Sequence, residues 1–142
     1  MSTALQSLVS VIVPCYNYGE FVGEAISSIL RQDYSNFELI VIDDGSTDNS
    51  VDNIAKALQD WPSASNACRV EFIKQSNQGV SAALNAGLAL ASGEFIATFD
   101  ADDVMAPGRL RLQAEYLATH PEVGCVGGVP IRIDHQGDLL PK

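Results

Sequence analysis

Basic residues are scarce in this chain of 142: 8 Lys and Arg stand against 18 Asp and Glu, a formal net charge of −10. A surface of that sign repels nucleic-acid backbones and anionic lipid head groups, so neither is expected as a partner. It also repels a phosphorylated small molecule unless a cation stands between the two. Cysteine is scarce as well. Cys15, Cys68 and Cys125 lie far apart without CxxC spacing, which argues against a zinc site or a disulfide scaffold and fits reduced thiols in a cytoplasmic protein. No run approaches the roughly 18 apolar residues of a membrane span. The first seven residues lack the basic start and apolar core of a secretion signal. Cytoplasmic location is therefore expected; contact with the inner face of a membrane would have to come from chain beyond Lys142. Internal repeats, low-complexity tracts and linkers are also missing, so residues 1–142 read as a single domain.

What is present is a regular alternation of two periodicities. Residues 8–13 are β-branched and apolar, a buried strand stopped by Pro14. Phe21, Ala25, Ile26, Ile29 and Leu30 then recur at helical spacing. A second strand is expected over 38–42. A helix follows it with Ser46, Thr47 and Asp48 as candidate caps and Val51, Ile54, Ala55 and Leu58 as its apolar face. Residues 61–67 read as a loop, 69–74 as a third strand, 80–91 as a helix ended by Gly93, and 94–99 as a fourth strand. Pro107 suits the first turn of a helix reaching Thr119. A fifth strand is expected over 123–126, and an edge hairpin over 130–140 turning at Gln136-Gly137. Such alternation implies right-handed βαβ units, hence a mostly parallel sheet in a three-layer α/β/α sandwich. In sheets of this kind ligands bind outside the carboxyl ends of the strands.

Each of those ends is polar. Pro14-Cys15-Tyr16-Asn17 follows the first strand, Asp43-Asp44-Gly45-Ser46-Thr47-Asp48 the second, Ser76-Asn77-Gln78-Gly79 the third, and Asp100-Ala101-Asp102-Asp103 the fourth. Alternate residues on an extended segment share a side, so Asp100 and Asp102 can face one ligand together. Oxygen ligands from one or two carboxylates suit Mn²⁺ or Mg²⁺, which would bridge an acidic protein to an anionic phosphate. The plain alternative is a solvated loop with Asp103 as a helix cap. Asp43 or Asp44 can accept from a ribose hydroxyl or a pyrimidine ring N–H, and adjacent acids point apart, so one of the two should touch a ligand. Asp48 reads as a turn and cap residue. Tyr16 can stack on a base or pack under its loop. Asn85 reads as a cap or bridge, and His120 and His135 as surface residues. Cys15 has no His or cation beside it in sequence, which argues against a nucleophilic role.

The four blocks taken together resemble family 2 glycosyltransferases of the GT-A fold. They are the stretch Val9 to Asn17, the stretch Val41 to Asp48, Asn77 to Gly87, and Phe99-Asp100-Ala101-Asp102-Asp103. Their order matters more than any one of them, and they span residues 8–127. The resemblance implies that Pro14 and Tyr16 line a base pocket, with Tyr16 stacked on the base. It implies that Asp44 accepts from a pyrimidine ring and that Asp43 supports the loop. Asp100 would reach the ribose or a metal-bound water, and Asp102 would ligate Mn²⁺ or Mg²⁺ at the diphosphate. The implied reaction passes a sugar from a nucleotide donor, usually uridine diphosphate, to a sugar, lipid or glycan acceptor, with inversion at the anomeric carbon. Leu84 departs from the pattern, because a basic residue often stands there. The implied general base is acidic and expected beyond residue 142, since Glu115, Glu122, Asp134 and Asp138 lie in no matching motif.

Other readings make different demands. A dinucleotide-binding oxidoreductase domain wants G-x-G-x-x-G after its first strand, where this chain has Pro14-Cys15-Tyr16-Asn17-Tyr18-Gly19. A phospho-acceptor signalling domain wants its acid pair after the first strand and a Lys after the fifth, and neither is present. A nucleotide-binding fragment without turnover fits this chain as it stands. An open sheet edge would also allow a homodimer.

Overall fold

The computed structural model describes residues 6–59, 61 and 65–141. Its centre is β1 (Val9–Cys15), flanked by β2 (Phe37–Asp43) on one side and β4 (Phe95–Thr98) on the other, with β3 (Ala67–Lys74) outside β2. All pairings are parallel. Residues with almost no exposure on both faces make β1 and β2 the apolar runs that a sheet covered on both sides requires.

The alternation of side chains along the strands decides what covers each face. Val9, Val11 and Val13 of β1 and Phe37, Leu39 and Val41 of β2 point to one side, where they meet Val22, Ala25, Ile26 and Ile29 of α1 (Gly19–Leu30). Ile54 of α2 (Ser50–Gln59) and Leu110 and Ala114 of α4 (Arg109–Thr119) complete that layer. Ile40 and Ile42 point the other way, onto Ala83 of α3 (Val80–Leu90). Gly87 lets α3 lie directly on Ile12; a Cβ there would run into the Ile12 side chain. The result is helix, sheet, helix, as the alternation of the sequence implies.

Strand order reverses at β1. The chain moves outward from β1 to β2 to β3, then returns to place β4 on the opposite side of β1. The connections leaving β1 and β4 therefore part company above the sheet, and a crevice opens between their carboxyl ends.

Four local expectations need correction. β1 does not stop at Pro14: it continues to Cys15, with Pro14 opposite Ile42. Pairing with β4 ends at Ile12 opposite Thr98, so on that side Pro14 has no ladder hydrogen bond to withhold. The fourth helix begins at Arg109, because Gly108 sits at its start in the left-handed region at φ 77°. No side-chain cap holds that start, so Asp103 is not its cap. Residues 123–126 form no strand. Gly124, Gly127 and Gly128 make extended backbone entropically costly there, and Gly124 and Cys125 are exposed. The expected hairpin does turn at Gln136-Gly137, reduced to one antiparallel bridge between Ile133 and Leu139. Residues 62–64 of the expected loop lie outside the described residues. Among the described residues no helix is long and apolar enough to cross a membrane.

Candidate functional site

A cleft of about 530 Å³ occupies the crevice at the strand-order reversal, lined by Pro14, Tyr16, Asp44, Asn77, Asp100 and Asp102 among others. Four strand ends thus contribute to one rim, and of Pro14, Tyr16, Asp43, Asp44, Asp100 and Asp102, the residues expected to meet nucleotide or metal, Asp43 alone stands behind it.

The loop after β1 is fastened to the loop after β2. Asn17 adopts φ 57°, a left-handed conformation that Asn tolerates better than most residues. Its backbone N–H donates to Ser46 Oγ at 2.9 Å, and its Oδ1 accepts from the Thr47 N–H at 2.8 Å. Asp48 links the two helix starts, accepting from the Gly19 N–H at 3.0 Å and from the Ser50 N–H at 2.9 Å. These ties fix the base of Tyr16, whose ring remains 45% exposed at the cleft.

The two adjacent acids do point apart. Asp43 is buried, and its Oδ2 accepts from the Ser46 N–H at 3.1 Å, closing the turn. Its Oδ1 has no hydrogen-bond partner among the described residues. Asp44 is also buried yet lines the cleft. Its Oδ1 accepts from Gln75 Nε2 at 2.7 Å and from the Gln78 N–H at 2.9 Å, and its Oδ2 from the Gly79 N–H at 2.8 Å. Burial alone would push this carboxyl upward. The bonds from Gln75, Gln78 and Gly79 outweigh burial and hold it below its ordinary value. Gly45, at φ 78°, makes the approach possible, since a Cβ there would sit 2.7 Å from the Asn77 nitrogen.

On the opposite wall Asp100 and Asp102 are exposed. Asp103 follows them, its carboxyl pushed up by burial and by the charges of Asp102 and Asp100, with the charge of Arg109 opposing the shift. The crowded negative charge and the all-oxygen donor set fit a hard divalent cation. Among the described residues no three His, Cys, Asp or Glu side chains gather as a ligand cage. Two carboxylates with open positions suit a cation that is also held by phosphate and water. Cys15 is buried at the floor of the cleft. Burial pushes its thiol up, as do the charges of Asp43 and Asp48, against hydrogen bonding with Ser50 and the Tyr18 backbone. A raised thiol pKa is the opposite of what a nucleophile needs.

Asp102 also borders a second cleft of about 390 Å³ that reaches Arg132, Asp134 and His135 of the hairpin. Asp134 there accepts from the Gln136 and Asp138 N–H groups, which makes it a turn former. Asn85 is exposed on α3, away from these groups.

Sequence reasoning missed the donors around Asp44. Gln75, Gln78 and Gly79 lie in the polar stretch after β3, so the signal was visible, but not its target 31 to 35 residues earlier. Asn17, which ties the two loops together, carries no signal of that role in the sequence.

A family model described as Glycosyl transferase family 2 matches residues 10–141. An uncharacterised glycosyltransferase of Nostoc sp. is 42% identical over 116 residues, covering 82% of this chain and 34% of the relative. Chondroitin synthase of Escherichia coli is 32% identical over 133 residues, covering 94% of this chain and 18% of that protein. Among solved structures, a mannosyltransferase from Pyrobaculum calidifontis in complex with GDP-Man and Mn²⁺ superposes with a TM-score of 0.73 at 28% identity. That match covers 81% of this chain and 33% of the other. S. aureus TarS in complex with UDP-GlcNAc gives a TM-score of 0.69 at 29% identity, covering 80% and 32%. The chain therefore spans about a third or less of the length of these proteins.

Proposed function

The chain belongs to glycosyl transferase family 2, and on that premise we propose that its cleft holds the nucleotide of a sugar donor, UDP-linked, for transfer to a sugar, lipid or glycan acceptor in polysaccharide synthesis. The observation that carries this reading is the convergence of Tyr16, Asp44, Asp100 and Asp102 on one cleft at the reversal of strand order. The two solved neighbours support it, because each holds a nucleotide sugar and one also holds Mn²⁺.

Each side chain then has a task set by its surroundings. The half-exposed Tyr16 ring stacks on the base, with Pro14 closing the wall beneath. Asp44, ionised and buried, accepts the ring N–H of a pyrimidine. Asp43 keeps the loop closed through Ser46. Asp100 would take the ribose or a metal-bound water, and Asp102 would hold Mn²⁺ or Mg²⁺. When bound, the cation supplies Lewis-acid stabilisation of the charge that develops on the leaving diphosphate. Inversion at the anomeric carbon needs an acidic base on the acceptor side. Glu115, Glu122, Asp134 and Asp138 are assigned no such role.

The test is calorimetric titration of UDP with and without Mn²⁺, on the chain and on Asp102→Ala. Removing either the metal or the carboxylate should weaken UDP binding by at least about tenfold, the scale of a lost charge-assisted contact. Tight UDP binding indifferent to both changes would overturn the site. NADH should show no saturable binding.

A further inference from the structure

The carboxylate of Asp44 is only partly free, and the pattern of its occupation carries more than its position. An ionised carboxylate offers about four acceptor sites, two on each oxygen. Both sites of Oδ1 are filled, by Gln75 Nε2 at 2.7 Å and the Gln78 N–H at 2.9 Å. One site of Oδ2 is filled, by the Gly79 N–H at 2.8 Å. A single acceptor site on Oδ2 is left for a ligand.

From this count we propose that Gln75 is a specificity-determining residue: by taking the Oδ1 site that the Gln78 N–H leaves open, it suits Asp44 to a base that presents one ring N–H, uracil or thymine, and disfavours guanine. The inference rests on the nucleotide reading of the cleft. Guanine offers its N1–H and an exocyclic N2–H side by side, and reading both takes a free site on each carboxylate oxygen. Uracil offers its N3–H alone, between two carbonyls. Cytosine and adenine carry a bare ring nitrogen on that edge, which an ionised carboxylate repels. The donors that hold Asp44 also keep it ionised, so it has no proton to offer such a nitrogen. The side chain of Asn77 lines the same cleft and has no hydrogen bond among the described residues, so its amide is available to a base carbonyl. Of the three donors to Asp44, two are backbone N–H groups fixed by the chain trace. Only Gln75 can vary without moving the main chain, and its own N–H is anchored separately, to the Asp43 carbonyl at 2.9 Å.

The experiment measures Kd for UDP, GDP and CDP with Mn²⁺ present, on the chain and on Gln75→Leu. The native chain should favour UDP over GDP and over CDP by about tenfold or more. Gln75→Leu should narrow the UDP-to-GDP ratio by about five- to tenfold, with GDP binding tightening in absolute terms. If Gln75→Leu loses its cooperative melt, Gln75→Asn is read in the same way, since its amide is a methylene too short for Asp44. A ratio unchanged while both affinities fall would mean that Gln75 only supports the loop, and would overturn the inference. So would a native chain that binds GDP as tightly as UDP, although the nucleotide reading would then stand. A native chain that binds neither would remove the nucleotide reading itself.

Discussion

Two carboxylates are buried at opposite ends of β2, and they are stabilised in different ways. Glu38, near the amino end, meets a cation: Arg69 Nη1 lies 2.9 Å from its Oε2, while the Ser10 hydroxyl and the Ser92 N–H, each 2.6 Å away, donate to Oε1. Asp44, just past the carboxyl end, meets only neutral amides. Both carboxyls are held below their ordinary values against the upward push of burial. At Glu38 the charge is cancelled within the protein. At Asp44 it is solvated by dipoles and left formally unbalanced, beside two further acids and an open cleft. Burial of a charge therefore does not by itself mark a site; what distinguishes the upper end is a negative charge with an acceptor still to spare and space next to it.

Removing Glu38 should have the largest effect. Glu38→Ala strands the Ser10 hydroxyl and the Ser92 N–H, leaves Arg69 with only its partly exposed partner Glu71, and opens a cavity between β2 and α3. A loss of about 3 kcal/mol in denaturant unfolding is expected, reduced from a fully buried pair because Arg69 is partly exposed. UDP affinity per folded molecule should not change. A fall in affinity as large as the fall in stability would mean that the two ends are coupled through β2, and the contrast would be lost.

The upper end should show the reverse pattern. Tyr16 is 45% exposed, so Tyr16→Ala should alter stability by no more than about 0.5 kcal/mol. Loss of base stacking should weaken UDP binding by roughly tenfold, within the range for one base on one aromatic ring. Tyr16→Phe should recover most of it, because the ring face and not the hydroxyl makes the contact. A Phe variant as weak as Ala would assign the effect to the hydroxyl and sharpen the geometry of the cleft.

The two ends were unequally legible in the sequence. The upper end announces itself because its acids fall where apolar runs stop, so Asp44, Asp100 and Asp102 could be named before any contact was known. The lower end does not. Ser10, Glu38 and Arg69 form one row across three strands, Ser10 opposite Glu38 and Glu38 opposite Arg69. That row exists only once the register is fixed, and register is set by packing on both faces rather than by local sequence. The hint was a charge, Glu38, placed ahead of the apolar run of β2. The failed strand at 123–126 has the opposite cause: its Val and Cys suggested extended backbone, while Gly124, the glycine pair just after it and the lack of a partner decided against it. Pro14 misled for a related reason, since proline ends a strand only where its missing N–H would have been used.

Acid should separate the ends by the smallest margin. Glu38 and Asp44 have folded values below their unfolded ones, so the unfolded chain binds more protons in the carboxylate range. Their contributions are complete at neutral pH and are lost as pH falls through the folded values. In Glu38→Gln the lower group no longer titrates. The gap in melting temperature between native chain and variant should therefore narrow by a few degrees from pH 7 to pH 4, on the scale set by about 1 kcal/mol in a chain of this size. Part of the remaining acid sensitivity belongs to the upper end, through Asp44 and Asp48, and there UDP and Mn²⁺ together should oppose it by binding only the folded, ionised form. If the ligand pair left the acid limb of the Glu38→Gln variant where it was, the charge at Asp44 would not be the one the ligand reads. Alkali reaches both ends, through the Cys15 thiol at the upper and the Tyr34 phenol at the lower: burial is the main cause holding each above its ordinary value, so each contribution is intact below the unfolded value and fades as pH rises through the folded one. Cys15→Ala should shrink the alkaline limb to the part that Tyr34 carries and leave the acid limb unchanged, which separates the floor of the cleft from the row at the other end of the sheet.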